Sequence, residues 1–136
     1  MKPELDEFLC QKYPKIFKNR HTNIQDTCMA WGFECDDGWF NIIDVLCHEI
    51  QSHVDWKSKD LSEEEKESLQ VVAEQVKEKF GTLRFYYSGG DDVVEGMVSI
   101  AESLTHRMCE SCGNVGHRRG KSWIKVLCDS CEEKRK

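Results

Sequence analysis

Two Cys-x-x-Cys pairs near the C-terminus are the residues whose types and spacing best fit a known chemistry. Cys109 and Cys112 are followed by fifteen residues and then by Cys128 and Cys131. Each pair can form a tight knuckle that turns two sulfurs toward one ion, and four thiolates satisfy the tetrahedral preference of a structural Zn2+. Gly113, directly after the first pair, suits the turn a knuckle needs. A four-thiolate iron–sulfur cluster would use the same ligand set. A redox dithiol would need a single pair in a thioredoxin-like setting, not two pairs flanking a hairpin. A catalytic zinc would keep an open position and favour histidine or carboxylate ligands. His117 could replace one cysteine, but it lies in a polar tip, Gly116 to Gly120, where exposure is expected. One structural Zn2+ is therefore the expected cofactor, and its binding free energy is expected to fold a segment with little apolar content.

The other four cysteines, Cys10, Cys28, Cys35 and Cys47, show no paired spacing and sit among apolar residues. Buried, inert thiols are expected there. Other constellations are weaker. Lys77, Lys79, Arg84 and Tyr86 could join Trp31, Glu34 and Trp39 in a cationic, aromatic-edged pocket for a nucleotide or another anion. The competing reading is an ordinary cross-strand face over a core. Arg118, Arg119, Lys121 and Lys125, with Trp123 beside them, could contact nucleic acid. Asp44 and His48 stand four apart, as an acid–base pair would, but no nucleophile motif accompanies them. Glu34, Asp36, Asp37, Asp91 and Asp92 are read as caps and turns, and Ser88-Gly89-Gly90 as a turn without the Lys-Ser/Thr of a nucleotide loop.

These residues must be positioned by a short chain of elements. Pro3 to Phe17 reads as a short helix ended by Pro14, and Lys18 to Cys28 as loop. Trp39, Ile42, Ile43, Leu46, Ile50 and Val54 recur at helical spacing, with Asp36 or Asp37 placed to cap. Ser62 and Glu65 have capping-box spacing at the head of another short helix. From Leu69 to Phe80 the pattern fits helix or strand. The β-formers Leu83 to Tyr87 and the turn residue Gly81 favour a hairpin, with Leu83, Phe85 and Tyr87 on one face and Arg84 and Tyr86 on the other. A helix from about Val93 to His106 should show Val94, Met97, Ile100, Ala101 and Leu104 on one side. Ser122 to Leu127 reads as a strand entering the second knuckle. The expected fold is α+β: helices with a central β-hairpin or small antiparallel sheet, and a C-terminal four-cysteine zinc ribbon. Residues 1–106 would form an acidic body, and residues 107–136 a ribbon module packed on it or appended to it.

Charge follows the same division. The chain carries a net −6. From residue 105 onward eight cations face four carboxylates, a net of +4, which leaves −10 on residues 1–104. Such a body repels nucleic acid at long range, so only the ribbon tip could oppose that. No apolar run approaches the roughly 20 residues that span a bilayer, and Met1 to Glu7 has no signal-peptide character. A cytoplasmic protein without a membrane partner is expected.

The segments Trp31-Gly32-Phe33-Glu34-Cys35-Asp36-Asp37-Gly38-Trp39 and Val76-Lys77-Glu78-Lys79-Phe80-Gly81-Thr82-Leu83-Arg84-Phe85-Tyr86-Tyr87, then Gly-Gly-Asp-Asp, a helix and Cys-x-x-Cys-Gly, resemble a small-protein family encoded in bacteriophages and prophages. The resemblance covers most of the chain. It implies a phage setting, a C-terminal zinc ribbon and strand character around Lys77 to Tyr87, and it carries over no catalytic residue. The leading expectation is a non-enzymatic, zinc-stabilised protein that binds a host or phage protein. A binder of an anionic small molecule and a nucleic-acid-binding ribbon are the alternatives.

Overall fold

The computed structural model describes residues 1–136 and contains five α-helices and two small sheets. Pro3 opens α1 (Pro3–Lys12), where its missing N–H is no loss, and the helix stops two residues before Pro14. A short strand β1 (Phe33–Glu34) leads through a 3-10 turn at Asp37–Trp39 into α2 (Phe40–Lys57). The helix α3 (Glu63–Leu69) begins with the reciprocal capping box expected of Ser62 and Glu65. The segment that fitted both periods is strand. β2 (Val72–Lys79) and β3 (Thr82–Ser88) form an antiparallel hairpin through Phe80 and Gly81. Both turn residues have positive φ, 54° and 84°, and the Glu78 carboxylate accepts the Gly81 N–H at 2.7 Å.

The first sheet has the order β1-β2-β3 and is mixed, because β1 pairs with β2 in parallel, Phe33 opposite Val76. Its inner face carries Val76, Leu83 and Phe85, all buried. The alternation of the hairpin thus runs as its sequence requires. α4 (Asp92–Leu104) covers the free edge of β3. Glu102 Oε2 accepts the Phe85 N–H at 2.8 Å, and Thr105 Oγ1 accepts that of Leu83 at 2.9 Å. Two N–H groups that would otherwise template another strand are thereby closed. The core lies between this sheet, α1, α2 and α4, with Leu9, Trp39, Ile43, Ile50 and Val94 fully buried.

Local signals erred in several places: the strand expected over Ser122 to Leu127 is confined to Lys125–Leu127, and the expected tip from Gly116 to Gly120 contains the strand His117–Arg119. Neither Asp36 nor Asp37 caps the turn into α2. Asp37 instead accepts the backbone N–H of Lys2 at 2.8 Å, at the head of α1. Ile100 and Leu104 belong to the apolar stripe of α4 by sequence, yet they are 67% and 52% exposed. Cys28 is exposed, whereas Cys35 and Cys47 are buried and Cys10 is half-buried. Burial pushes the Cys10 and Cys35 thiols up to about 12 and that of Cys47 well above its ordinary range, so these three are inert.

Asp91 ties α4 to α2. Its Oδ1 accepts the Val94 N–H at 3.1 Å as a helix cap, and its Oδ2 lies 2.8 Å from both His53 Nε2 and Lys57 Nζ. Burial alone would raise this carboxyl, but Lys57, His53 and the Val94 amide together hold it well below the usual carboxylate range. A lowered folded value means its contribution is complete above about pH 4 and is lost as the pH falls toward that value. Asp91→Ala should therefore cost about 1–3 kcal/mol at neutral pH and flatten the acid limb of the stability curve. Urea melts from pH 3 to pH 7 measure both effects; parallel wild-type and variant curves would exclude the role.

Candidate metal centre

The chain leaves α4 through a 3-10 turn at Thr105–Arg107 and enters the first knuckle. Here Cys109 O accepts the Gly113 N–H at 2.8 Å and Cys109 N donates to Asn114 O at 2.7 Å, which closes a turn that Gly113 completes at φ 85°. β4 (His117–Arg119) and β5 (Lys125–Leu127) then pair antiparallel. β5 delivers Cys128 to the head of α5 (Asp129–Arg135), where its sulfur accepts the Cys131 N–H at 3.4 Å. The four sulfurs come within 4.8 Å of one another, and Cys112 Sγ and Cys128 Sγ are 3.7 Å apart. Tetrahedral thiolates at the zinc–sulfur bond length would sit roughly 3.8 Å apart, so the cluster fits a metal ion of that size.

Without metal the thiols do not ionise alike. The Cys131 amide lowers Cys128 to about 7, while Cys131, whose thiol donates to the Cys128 sulfur, is pushed up to about 12. Metal binding must therefore displace protons from this set.

The ribbon is joined to the body through a buried carboxylate. Glu110, between the first two cysteines, is 2% exposed. Its Oε2 accepts the Asp36 N–H at 3.0 Å, its Oε1 accepts Lys125 Nζ at 3.1 Å, and its backbone carbonyl accepts the Gly38 N–H at 2.7 Å. Burial raises the Glu110 carboxyl, and Lys125 offsets part of that cost. Trp39 Nε1 donates to Met108 O at 3.2 Å. At the other end of the ribbon, Gly81 of the hairpin turn faces Ile124, Lys125 and Val126 so closely that a Cβ there would stand 3.1 Å from Ile124 Cγ2. Both distinctive sequence segments thus contribute to the seat of the ribbon. Glu110 was not singled out from sequence; its only signal was a lone acidic residue inside a metal knuckle.

The remaining sequence-derived candidates divide. Trp39 is fully buried, so it shares no pocket with the hairpin cations, while Trp31 is 62% exposed in a separate groove beside Arg20 and His21. Lys77, Lys79 and Tyr86 do lie along one groove, with Cys28, Glu74 and Gln75. Lys77 stands opposite both Glu34 and Arg84 in the sheet register, and Glu34 accepts from Gln75 at 3.1 Å. Arg84 turns to Thr82 Oγ1 at 2.8 Å and to its neighbour's carbonyl. In the basic tip, Arg119 donates to Leu127 O and Asp129, and Lys125 to Glu110, which leaves Arg118, Lys121 and Trp123 facing solvent. Asp44 accepts from Tyr13 and Lys12 rather than pairing with His48.

An exposed groove lies between α2 and α4, built largely from residues that the sequence marked as apolar stripes but expected to be buried. Ile42, Val45, Leu46, Met97, Ile100 and Leu104 line a groove of about 160 Å3 whose only polar wall residue is Glu49. Val45 is 61% exposed there. No helix of the protein is long and apolar enough to cross a membrane.

Fold and site together define an α+β protein with a C-terminal four-cysteine ribbon able to hold a metal ion. The sequence matches no family model and no curated protein, and the fold matches no solved structure.

Proposed function

We propose that this is a non-enzymatic binding protein, stapled by one structural Zn2+ at Cys109, Cys112, Cys128 and Cys131, that engages a protein partner in the cytosol of a phage host. The observation that carries the reading is the exposed α2/α4 groove. An exposed groove lined by apolar side chains of two helices is a common form of protein-docking surface. The four-sulfur cluster supports zinc by ligand type and spacing. It also leaves no open coordination position for chemistry. Eight free thiols suit a reducing compartment.

The test compares proteins retained from host lysate by the immobilised chain and by two variants, Ile100→Glu in the groove and Arg118→Glu in the ribbon tip. Specific proteins should be lost with Ile100→Glu and kept with Arg118→Glu. Retention that is equal across all three, or none above background, would refute the groove as the working surface.

A second reading rests on the hairpin face, where Lys77, Lys79 and Tyr86 share one groove and could hold an anionic small molecule. It expects nucleotides to raise the melting temperature, with the rise abolished in Lys77→Ala.

A further inference from the structure

We infer that the outer face of the β2–β3 hairpin binds single-stranded nucleic acid, an inference that rests on the anion-binding reading of this face and extends its ligand from a small molecule to a strand. In the antiparallel register Lys77 stands directly opposite Arg84, Gln75 opposite Tyr86 and Lys79 opposite Thr82. Residues two apart on a strand share a face, so Lys77, Lys79, Arg84 and Tyr86 all lie on the side away from the buried Val76, Leu83 and Phe85. Like charges directly opposite each other destabilise a sheet. Yet no carboxylate lies within ion-pair distance of Lys77, Lys79 or Arg84. Glu34 is paired in register with Lys77 but accepts Gln75 Nε2 instead, and Glu74 lines the groove without bonding to either lysine. Arg84 is held along its strand by Nη1, which donates to Thr82 Oγ1 at 2.8 Å and to Leu83 O at 3.2 Å. Its Nε and Nη2 make no bond within the protein, and together they form one bidentate edge of the guanidinium that fits a phosphate.

Two aromatic rings stand beside these cations. Tyr86 is exposed, two residues from Arg84 on the same face. Phe80 is 69% exposed at φ 54°, a backbone region that is costly for a bulky residue, and Asn or Asp is the usual occupant of such a hairpin-turn position. Core packing therefore does not account for a phenylalanine there. Lys79, which lines the groove, also sets its Nζ 5.8 Å from the Phe80 ring centroid and so links the turn to the sheet face. Bases of any sequence stack on exposed rings, while cations hold the phosphates between them. Shape selects a strand as the ligand. The groove is open along the hairpin, whereas a small-molecule site encloses most of its ligand. Lys77 and Lys79 stand roughly 7 Å apart along β2, so they meet successive groups of an extended polyanion. A duplex hides the faces of its bases, and an acidic peptide has none. The net −10 of residues 1–104 opposes attraction at long range, so the contact is short-range and rests on this cluster.

The probes are fluorescent oligo-dT and oligo-U strands of about twelve nucleotides, titrated with the zinc-loaded full chain at about 0.1 M salt. At least one of them should bind at least about tenfold more tightly than thymidine monophosphate, a duplex of the same length or a polyglutamate peptide. Three cations on phosphates give a slope of about −2 for log affinity against log salt, so doubling the salt should cost roughly fourfold. Lys77→Glu should weaken binding at least about tenfold without lowering the melting temperature, because the new carboxylate would face Arg84. Phe80→Asn should also cost about tenfold while raising the melting temperature, because Asn suits the positive φ and removes the ring. A merely structural role would move stability and binding together. Unchanged binding in both variants, binding indifferent to salt, or tighter binding of polyglutamate would overturn the proposal. So would a larger loss from combined Arg118→Glu and Lys121→Glu than from Lys77→Glu, since the ribbon tip would then be the site. If nucleotides raise the melting temperature through Lys77 while the strands bind no more tightly than a mononucleotide, the anion-binding reading stands and the strand alone is wrong.

Discussion

Gly38→Ala should destabilise the protein by about 3 kcal/mol and lower its melting temperature by roughly 10 °C. A Cβ at this position would stand 2.3 Å from Cys109 O and 2.4 Å from Glu110 O. Both are backbone atoms of a metal knuckle, so no flexible side chain can move aside. The φ of Gly38 is not in the left-handed region, so the demand for glycine comes from close approach. Displacing the knuckle would also strain the Gly38 N–H to Glu110 O bond and the Asp36 N–H to Glu110 carboxylate bond. An unpartnered buried carboxylate is costly. The variant should accordingly lose metal to a competing chelator sooner than wild type. Gly96→Ala is the natural comparison, because nothing lies within 4 Å of a Cβ there and the position is helical. That substitution should stabilise by about 0.5–1 kcal/mol. Identical melts for Gly38→Ala and wild type would show that the ribbon does not seat tightly on the body.

Cys128→Ser should abolish stoichiometric metal binding and unfold residues 109–131. Structural zinc in small modules contributes on the order of 10 kcal/mol, far more than the few hydrogen bonds of β4 and β5 could replace. The consequence should reach the body through Trp39, whose indole N–H bonds to Met108 O, and through the Glu110 contacts. Tryptophan fluorescence should therefore shift even though α2 and α4 keep most of the far-UV helical signal. Elemental analysis of the purified variant decides the ligand assignment: one retained equivalent of metal would overturn it. Acid should mimic the mutation in wild type. Protons compete for the same sulfurs, and Cys128, at about 7, is the first thiol to ionise as the pH rises. Because Cys131, pushed up to about 12, still holds its proton there, metal affinity should already fall as the pH drops toward 7 and should fall most steeply below about 7, read by chelator competition at stepped pH.

Much of this was legible because the deciding interactions are short-range. Ser62 and Glu65 cap each other across three residues, Asp91 caps α4 across three, and Cys109 and Cys112 share one knuckle. The β2–β3 hairpin followed from alternation around Gly81, even where Leu69 to Phe80 also fitted a helical period. Long-range partners decided the remainder. Helical spacing joined Trp39 to the buried stripe of α2, but nothing local showed that it would be fully buried against the ribbon while Trp31 stayed 62% exposed. Arg119 and Lys125 looked like free cations until Asp129 and Glu110, ten and fifteen residues away in sequence, were brought beside them.

By itself, then, the sequence determined the four-cysteine cluster, the α+β class and the hairpin, since each depends on spacing within a few residues or on alternation along one strand. Only the tertiary structure decided that Gly38, Trp39 and Glu110 seat the ribbon, and that Val45, Ile100 and Leu104 remain uncovered. Helical periodicity marks which residues share a stripe, but whether that stripe is buried depends on what packs against it. On α4 the sheet and α2 cover Val94, Val98 and Ala101, and no element of this chain reaches the outer half of the stripe.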